Sequence, residues 1–169
     1  MSSEWSFRAM VQSDLSVLMH VQERGAVIGL GHVFPQETHP FPRDAIRSRW
    51  GRELGDPAVA AYVATDSRGN VVGFAARRGD ELLHFGTAVE TWGSGLATWL
   101  HDQLLATYPP ELGRLRLRVF AGNTRARRFY ERLAWSPTGR ESRTSFPPHP
   151  VLVEYAFDRP PRSPTERAR

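Results

Sequence analysis

FGTAVETWGSGLATWL, residues Phe85 to Leu100, decides how the rest of the chain is read. Its first half has the pattern of a strand. Its second half carries Leu96, Trp99 and Leu100 at the spacing of one helix face, and Gly93 and Gly95 stand at the junction. Two glycines one residue apart leave the backbone bare of β-carbons. Several N–H groups can then converge on one anion, with the positive end of the helix dipole behind them. Phosphate suits such a cradle. A GxG by itself is a weak signal, so the flanking segments have to agree with it.

Upstream of the turn the chain reads as a meander. Val59 to Ala64, Val71 to Arg77 and Glu81 to Val89 are strands, separated by turns at Asp66-Ser-Arg-Gly-Asn70 and Arg78-Gly-Asp80. Before them come a first strand over Ser6 to Val11 and a helix from Ser13-Asp14 that Gly25 is expected to end. An irregular stretch from Ala26 to Pro42 follows, then a helix from about Arg43 to Leu54. Downstream, the helix that begins at the glycine turn stops near Tyr108-Pro109-Pro110. RLRLRV, Arg114 to Val119, alternates strictly and puts Leu115, Leu117 and Val119 inward. Asn123 caps another helix. Two last strands fall near Ser136 to Arg143 and Val151 to Phe157. Residues 1–158 read as one domain, and the Pro- and Arg-rich 159–169 as a disordered tail.

Composition narrows the chemistry. The 169 residues include no cysteine, which removes disulfides, thiolate nucleophiles and thiolate metal sites. All 22 basic residues are arginine, so a Schiff-base lysine and a P-loop lysine are excluded. No apolar run approaches the ~18 residues of a membrane span, and the N-terminus lacks the order of a signal peptide, which makes a soluble, cytoplasmic protein the expectation. His32, Glu37 and His39 have no tight ligand spacing, so no metal is assigned. The net charge of +4 is spread along the chain without an aromatic-basic recognition motif, which ranks nucleic-acid binding low.

Two familiar phosphate binders do not fit. The P-loop needs Lys-Ser/Thr after its second glycine, and the chain has Leu96-Ala97 there. The dinucleotide fingerprint puts its third glycine on Thr98 and needs a βαβ unit, whereas this turn follows antiparallel hairpins. The element order does match a third pattern, together with Glu90-x-x-Gly93-x-Gly95 and Asn123-x-x-Ala126-x-x-Phe129-Tyr130-Glu131-Arg132-Leu133-Ala134-Trp135. Over Ser6 to Phe157 the chain resembles the GCN5-related N-acetyltransferase (GNAT) superfamily. The resemblance implies an α+β fold: a mostly antiparallel, twisted sheet of six to seven strands with about four flanking helices.

It also implies transfer of an acetyl group from acetyl-CoA to an amine by direct attack. By position in the motifs, the N–H groups of Trp92, Gly93, Ser94, Gly95 and Leu96 would hold the diphosphate. Phe85, Gly86 and Thr87 would lie along the pantetheine arm, with Thr87 where proline is common. Asn123, Ala126 and Phe129 would flank the arm and the departing thiol, though Asn123 also reads as a plain N-cap. Tyr130 would protonate the thiolate, and its bland alternative is a core aromatic. Glu90 stands where Gln or Arg is usual, so its carboxylate must turn away or pair with an arginine. Ala134 stands where the family has glycine.

For the base, strict alternation puts Glu81, Leu83 and Phe85 on one face of the strand and Leu82, His84 and Gly86 on the other. Glu81 is the first candidate, His84 the second, and a water chain is an equal rival. The Ala26 to Pro42 stretch and the segment near Phe146 to His149 would line the acceptor cleft by family geometry. The acceptor itself is not readable, and neither is the oligomeric state, although homodimers are common in the superfamily. A non-catalytic acyl-CoA-binding module on the same fold is the alternative function.

Overall fold

The chain's architecture is taken from a computed structural model, which describes residues 4–161. Residues 162–169, most of the expected tail, lie outside the described residues. The order is β1 (Ser6–Ala9), α1 (Leu15–Gly29), α2 (Arg43–Leu54), β2 (Val59–Thr65), β3 (Val71–Arg78), β4 (Glu81–Thr87), α3 (Leu96–Ala106), β5 (Arg114–Phe120), α4 (Thr124–Arg132), β6 (Ser136–Arg143) and β7 (Val151–Asp158). All seven strands form one sheet in the order β1-β2-β3-β4-β5-β7-β6. Every neighbouring pair is antiparallel except β4 and β5. Among the described residues no helix is long and apolar enough to cross a membrane.

The expected elements are present with boundaries moved: β1 ends at Ala9 and not Val11, β4 at Thr87 and not Val89, and the first helix is longer. α1 runs through Gly25 to Gly29. Gly25 costs the helix about 1 kcal/mol of propensity, but the buried Leu15, Leu18 and Met19 anchor the helix to the sheet. The irregular stretch therefore begins at Leu30.

The sheet is covered on both faces. One core joins Leu96, Leu100 and Leu104 of α3 and Tyr130 of α4 to Leu82, Leu115, Leu117, Val119 and Tyr155. The other joins Leu18 and Met19 of α1 and Ile46 and Trp50 of α2 to Val63, Phe74 and Ala76. The β5 alternation does as expected: Leu115, Leu117 and Val119 are buried under the α3 and α4 side, and the three arginines face the other way.

In β4 the alternation fails. Ala76 pairs with His84 and Arg77 with Leu82, so Leu83 is an extra residue, a β-bulge. Leu82 and Phe85 both face α3 and α4. Leu83 and His84 both face α1 and α2, and Gly86 lies on that side under Phe74. Glu81 points there as well, toward Arg118. This corrects the strict-alternation reading: Phe85 leaves the Glu81 face, and His84 joins it.

Candidate active site

β4 and β5 are paired only at Glu81–Arg116 and Leu82–Leu117, although β4 continues to Thr87 and β5 to Phe120. Beyond Leu82 the two strands part, and the facing edge of β4 carries no ladder hydrogen bonds. A wedge opens in the middle of the sheet. Its walls are the bulged half of β4 on one side, and the end of β5 with the start of α4 on the other.

The glycine turn lies at the mouth of this wedge. Gly93 and Gly95 have φ of 82° and 90°, the left-handed region, and a β-carbon on either would meet nothing within 4 Å. Gly95 is the N-cap of α3. Within the turn, the N–H of Trp92 donates to Val89 O (3.1 Å) and that of Ser94 to Thr91 O (3.0 Å). The Leu96 N–H donates to Ser94 Oγ (3.3 Å). Gly93 and Gly95 keep their N–H groups free among the described residues, and the first turn of α3 adds donors without an intrahelical acceptor. An open, bare, donor-rich helix N-terminus fits a diphosphate. Glu90 is ion-paired with Arg24 of α1, so its carboxylate is neutralised.

Trp92 ties the mouth together. Its indole N–H donates to Thr87 O (3.2 Å), its ring lies against Gly29, and the Arg125 guanidinium carbon stacks 3.4 Å from a ring centroid. Arg125 lies in the first turn of α4, where a cation opposes the helix dipole. It has no ion pair or hydrogen bond among the described residues.

The far wall follows the second motif. Asn123 Oδ1 accepts from the Ala126 N–H (3.1 Å), so the cap role holds, and its side-chain NH2 is unspent. Phe85, Phe129 and Tyr130 form one aromatic group, with ring centroids 5.7 Å (Phe85–Phe129), 6.4 Å (Phe85–Tyr130) and 5.2 Å (Phe129–Tyr130) apart. Tyr130 is buried, its hydroxyl makes no hydrogen bond among the described residues, and burial pushes its pKa up. Trp135, just past α4, donates from its indole N–H to the buried His101 Nε2 of α3 (3.0 Å), which fixes α4 and hence Tyr130.

The two candidate bases differ in their surroundings. Glu81 is buried and held by Arg118 Nε (3.0 Å) and Arg116 (3.7 Å). His84 Nε2 is 2.7 Å from Glu53 Oε2, and the ring packs against Trp50 of α2. Burial would raise the Glu53 carboxyl, but the His84 hydrogen bond and the neighbouring cations hold it below the usual carboxylate range. An ionised carboxylate only accepts, so Nε2 carries the proton and Nδ1 presents a lone pair. Nδ1 has no partner among the described residues. Burial, the largest influence, pushes the His84 pKa down, with Glu53 acting against it.

The sequence did not point to Glu53. It is one of many exposed-looking charges on α2, and only packing shows its contact with β4. The loop after α1 meets the end of β5. His32 Nε2 is 2.7 Å from Gly122 O, and Phe34 meets Phe120 edge-on at 5.2 Å.

The model of the acetyltransferase (GNAT) family matches residues 30–135, which include both motifs. The chain belongs to this family. A search of curated proteins gave no match. Solved structures share the fold. The apo form of YjaB from Escherichia coli has a TM-score of 0.72 at 20% identity, covering 90% of this chain and 97% of that one. The spermidine N-acetyltransferase of Vibrio cholerae, solved with CoA and spermine, has a TM-score of 0.68 at 18% identity, covering 93% and 96%. This GNAT is an acetyl-CoA-dependent N-acetyltransferase that acts on an amine. Nothing favours the non-catalytic module.

Proposed function

We propose how this acetyltransferase divides the work among its residues. The observation that carries the reading is the wedge: free peptide donors at its mouth, a buried phenol on one wall, and a carboxylate-bound imidazole on the bulged strand. The N–H groups of Gly93, Gly95 and the first turn of α3 hold the diphosphate, and Arg125, preset by the Trp92 ring, adds a cation to the coenzyme's phosphates. Acetyl-CoA, once bound, supplies a thioester whose carbonyl carbon is attacked and whose sulfur leaves. The unpaired edge of β4 around Phe85 and Gly86 offers peptide N–H groups to the carbonyl oxygen as it gains charge.

His84 Nδ1 takes the proton from the attacking nitrogen, and Glu53 steadies the resulting imidazolium. Tyr130 gives its proton to the departing sulfur. The C–N bond forms, the C–S bond breaks, and solvent returns the proton balance between His84 and Tyr130. Glu81 is not the base in this scheme. Its oxygens are taken by Arg118 and Arg116, so it positions β5 at the closed end of the wedge. Titration calorimetry with CoA, followed by an assay of acetyl-CoA-dependent thiol release across a set of amines, tests the whole reading. Absence of CoA binding would overturn it.

A further inference from the structure

Arg49 lies one turn before Glu53 on α2, beside the imidazole assigned as base. Its Nε is buried without a hydrogen-bond partner. Its guanidinium lies 5.9 Å from the ring centre of Phe146, in the connection between β6 and β7 that the family resemblance places along the acceptor cleft. Its one ion-pair neighbour, Glu53 Oε1, is 3.9 Å away, beyond hydrogen-bond reach, and that carboxylate is already bound to His84. The other carboxylates of this face are engaged: Glu81 by Arg118 and Arg116, and Glu154 by Thr138. None of these three carboxylates is free to meet an incoming ammonium, whereas an incoming anion meets a partly buried guanidinium with open valences.

From this juxtaposition we infer that the acceptor carries a carboxylate besides its amine, and that Arg49 holds this carboxylate. The inference rests on the transferase reading above. The two oxygens of Glu53 hold His84 on one side and face Arg49 on the other. Charge agrees. Arg49 and Glu53 cancel and His84 is neutral, so a zwitterion leaves the cluster neutral, whereas a simple ammonium leaves it positive. The acceptor class is then amines that also carry a carboxylate, for which free α-amino acids are the simplest probe.

The test compares α-amino acids with their carboxamides as acceptors, by thiol release, in the wild type, Arg49→Gln and Arg49→Lys. The wild type is expected to favour the acid by about 10- to 100-fold in kcat/KM, the range for a hydrogen bond to a charged group. In Arg49→Gln the ratio falls toward one through KM, and Arg49→Lys keeps part of it. Amine acidity differs between the two acceptors but not between the proteins, so the change in ratio reports Arg49. A wild-type ratio near one, or the same ratio in Arg49→Gln, overturns the inference and leaves the transferase reading standing. No thiol release from any amine, with CoA bound, sinks both.

Discussion

At the residue scale, the proposed mechanism turns on groups kept out of their ordinary ionisation. Burial keeps Tyr130 protonated, as a donor to a leaving thiolate must be. Tyr130→Phe keeps the ring packing and removes the proton, so kcat should fall by about 10²-fold while the dissociation constant for CoA holds; steady-state kinetics beside calorimetry checks this. His84 must be neutral to act, and burial lowers its pKa from the ordinary 6.5. The acid limb of the pH–rate profile is therefore expected below pH 6.5. Glu53 raises the His84 pKa, so Glu53→Gln should move that limb lower still and reduce the plateau. The same shift has a stability sign. The neutral ring favours the fold above pH 6.5, and that contribution is lost as pH falls through the lower folded value. Ala134 ends α4 with φ 69°, where the family pattern has glycine. Ala134→Gly should stabilise the protein by about 1 kcal/mol, read as a rise in the denaturant midpoint. This departure was legible from the motif, whereas Glu53 was not, because a charge on a helix gives no sign of the strand it will meet.

At the scale of the element, β4 decides the site. The bulge at Leu83 sends His84 and Glu81 to one face and Phe85 to the other, so the proposed base and the aromatic proposed to meet the coenzyme lie on opposite sides of one strand. A period-two pattern cannot reveal a single inserted residue, which is why strict alternation misplaced both. Gly86 locks the arrangement. A β-carbon there would come within 2.5 Å of the Phe74 ring, which is buried in the α1 and α2 core. Gly86→Ala must push that ring or the strand aside, and overpacking of this kind costs about 1–3 kcal/mol. A lower thermal midpoint together with weaker acetyl-CoA binding would confirm it; an unchanged midpoint would show that β4 yields freely. The place and bareness of the glycine turn were legible from Gly93 and Gly95, but not which donors stay free: the Trp92, Ser94 and Leu96 N–H groups, expected to face the diphosphate, are spent within the turn.

At the scale of the whole molecule, the wedge is a gap in the sheet bridged by side chains in place of a ladder, among them the Trp92–Arg125 stack, the Phe85–Phe129 pair and the His32–Gly122 hydrogen bond. A ligand lying between the walls binds the folded state alone. Acetyl-CoA at about 100 times its dissociation constant should therefore add roughly 2.7 kcal/mol to stability, visible as a ligand-dependent rise in Tm; adenine nucleotides lacking the pantetheine arm should give less. The sequence alone determined the strand and helix order, the bare phosphate turn, the capped helix carrying Tyr130 and the family they imply, because each rests on local periodicity or on one residue's backbone freedom. Only the tertiary structure decided which carboxylate meets His84, which arginines silence Glu81 and Glu90, and what Arg49 faces. Those outcomes depend on packing α1 and α2 against a sheet whose register slips by one residue. They are contacts between segments far apart in the chain, which no short-range pattern encodes.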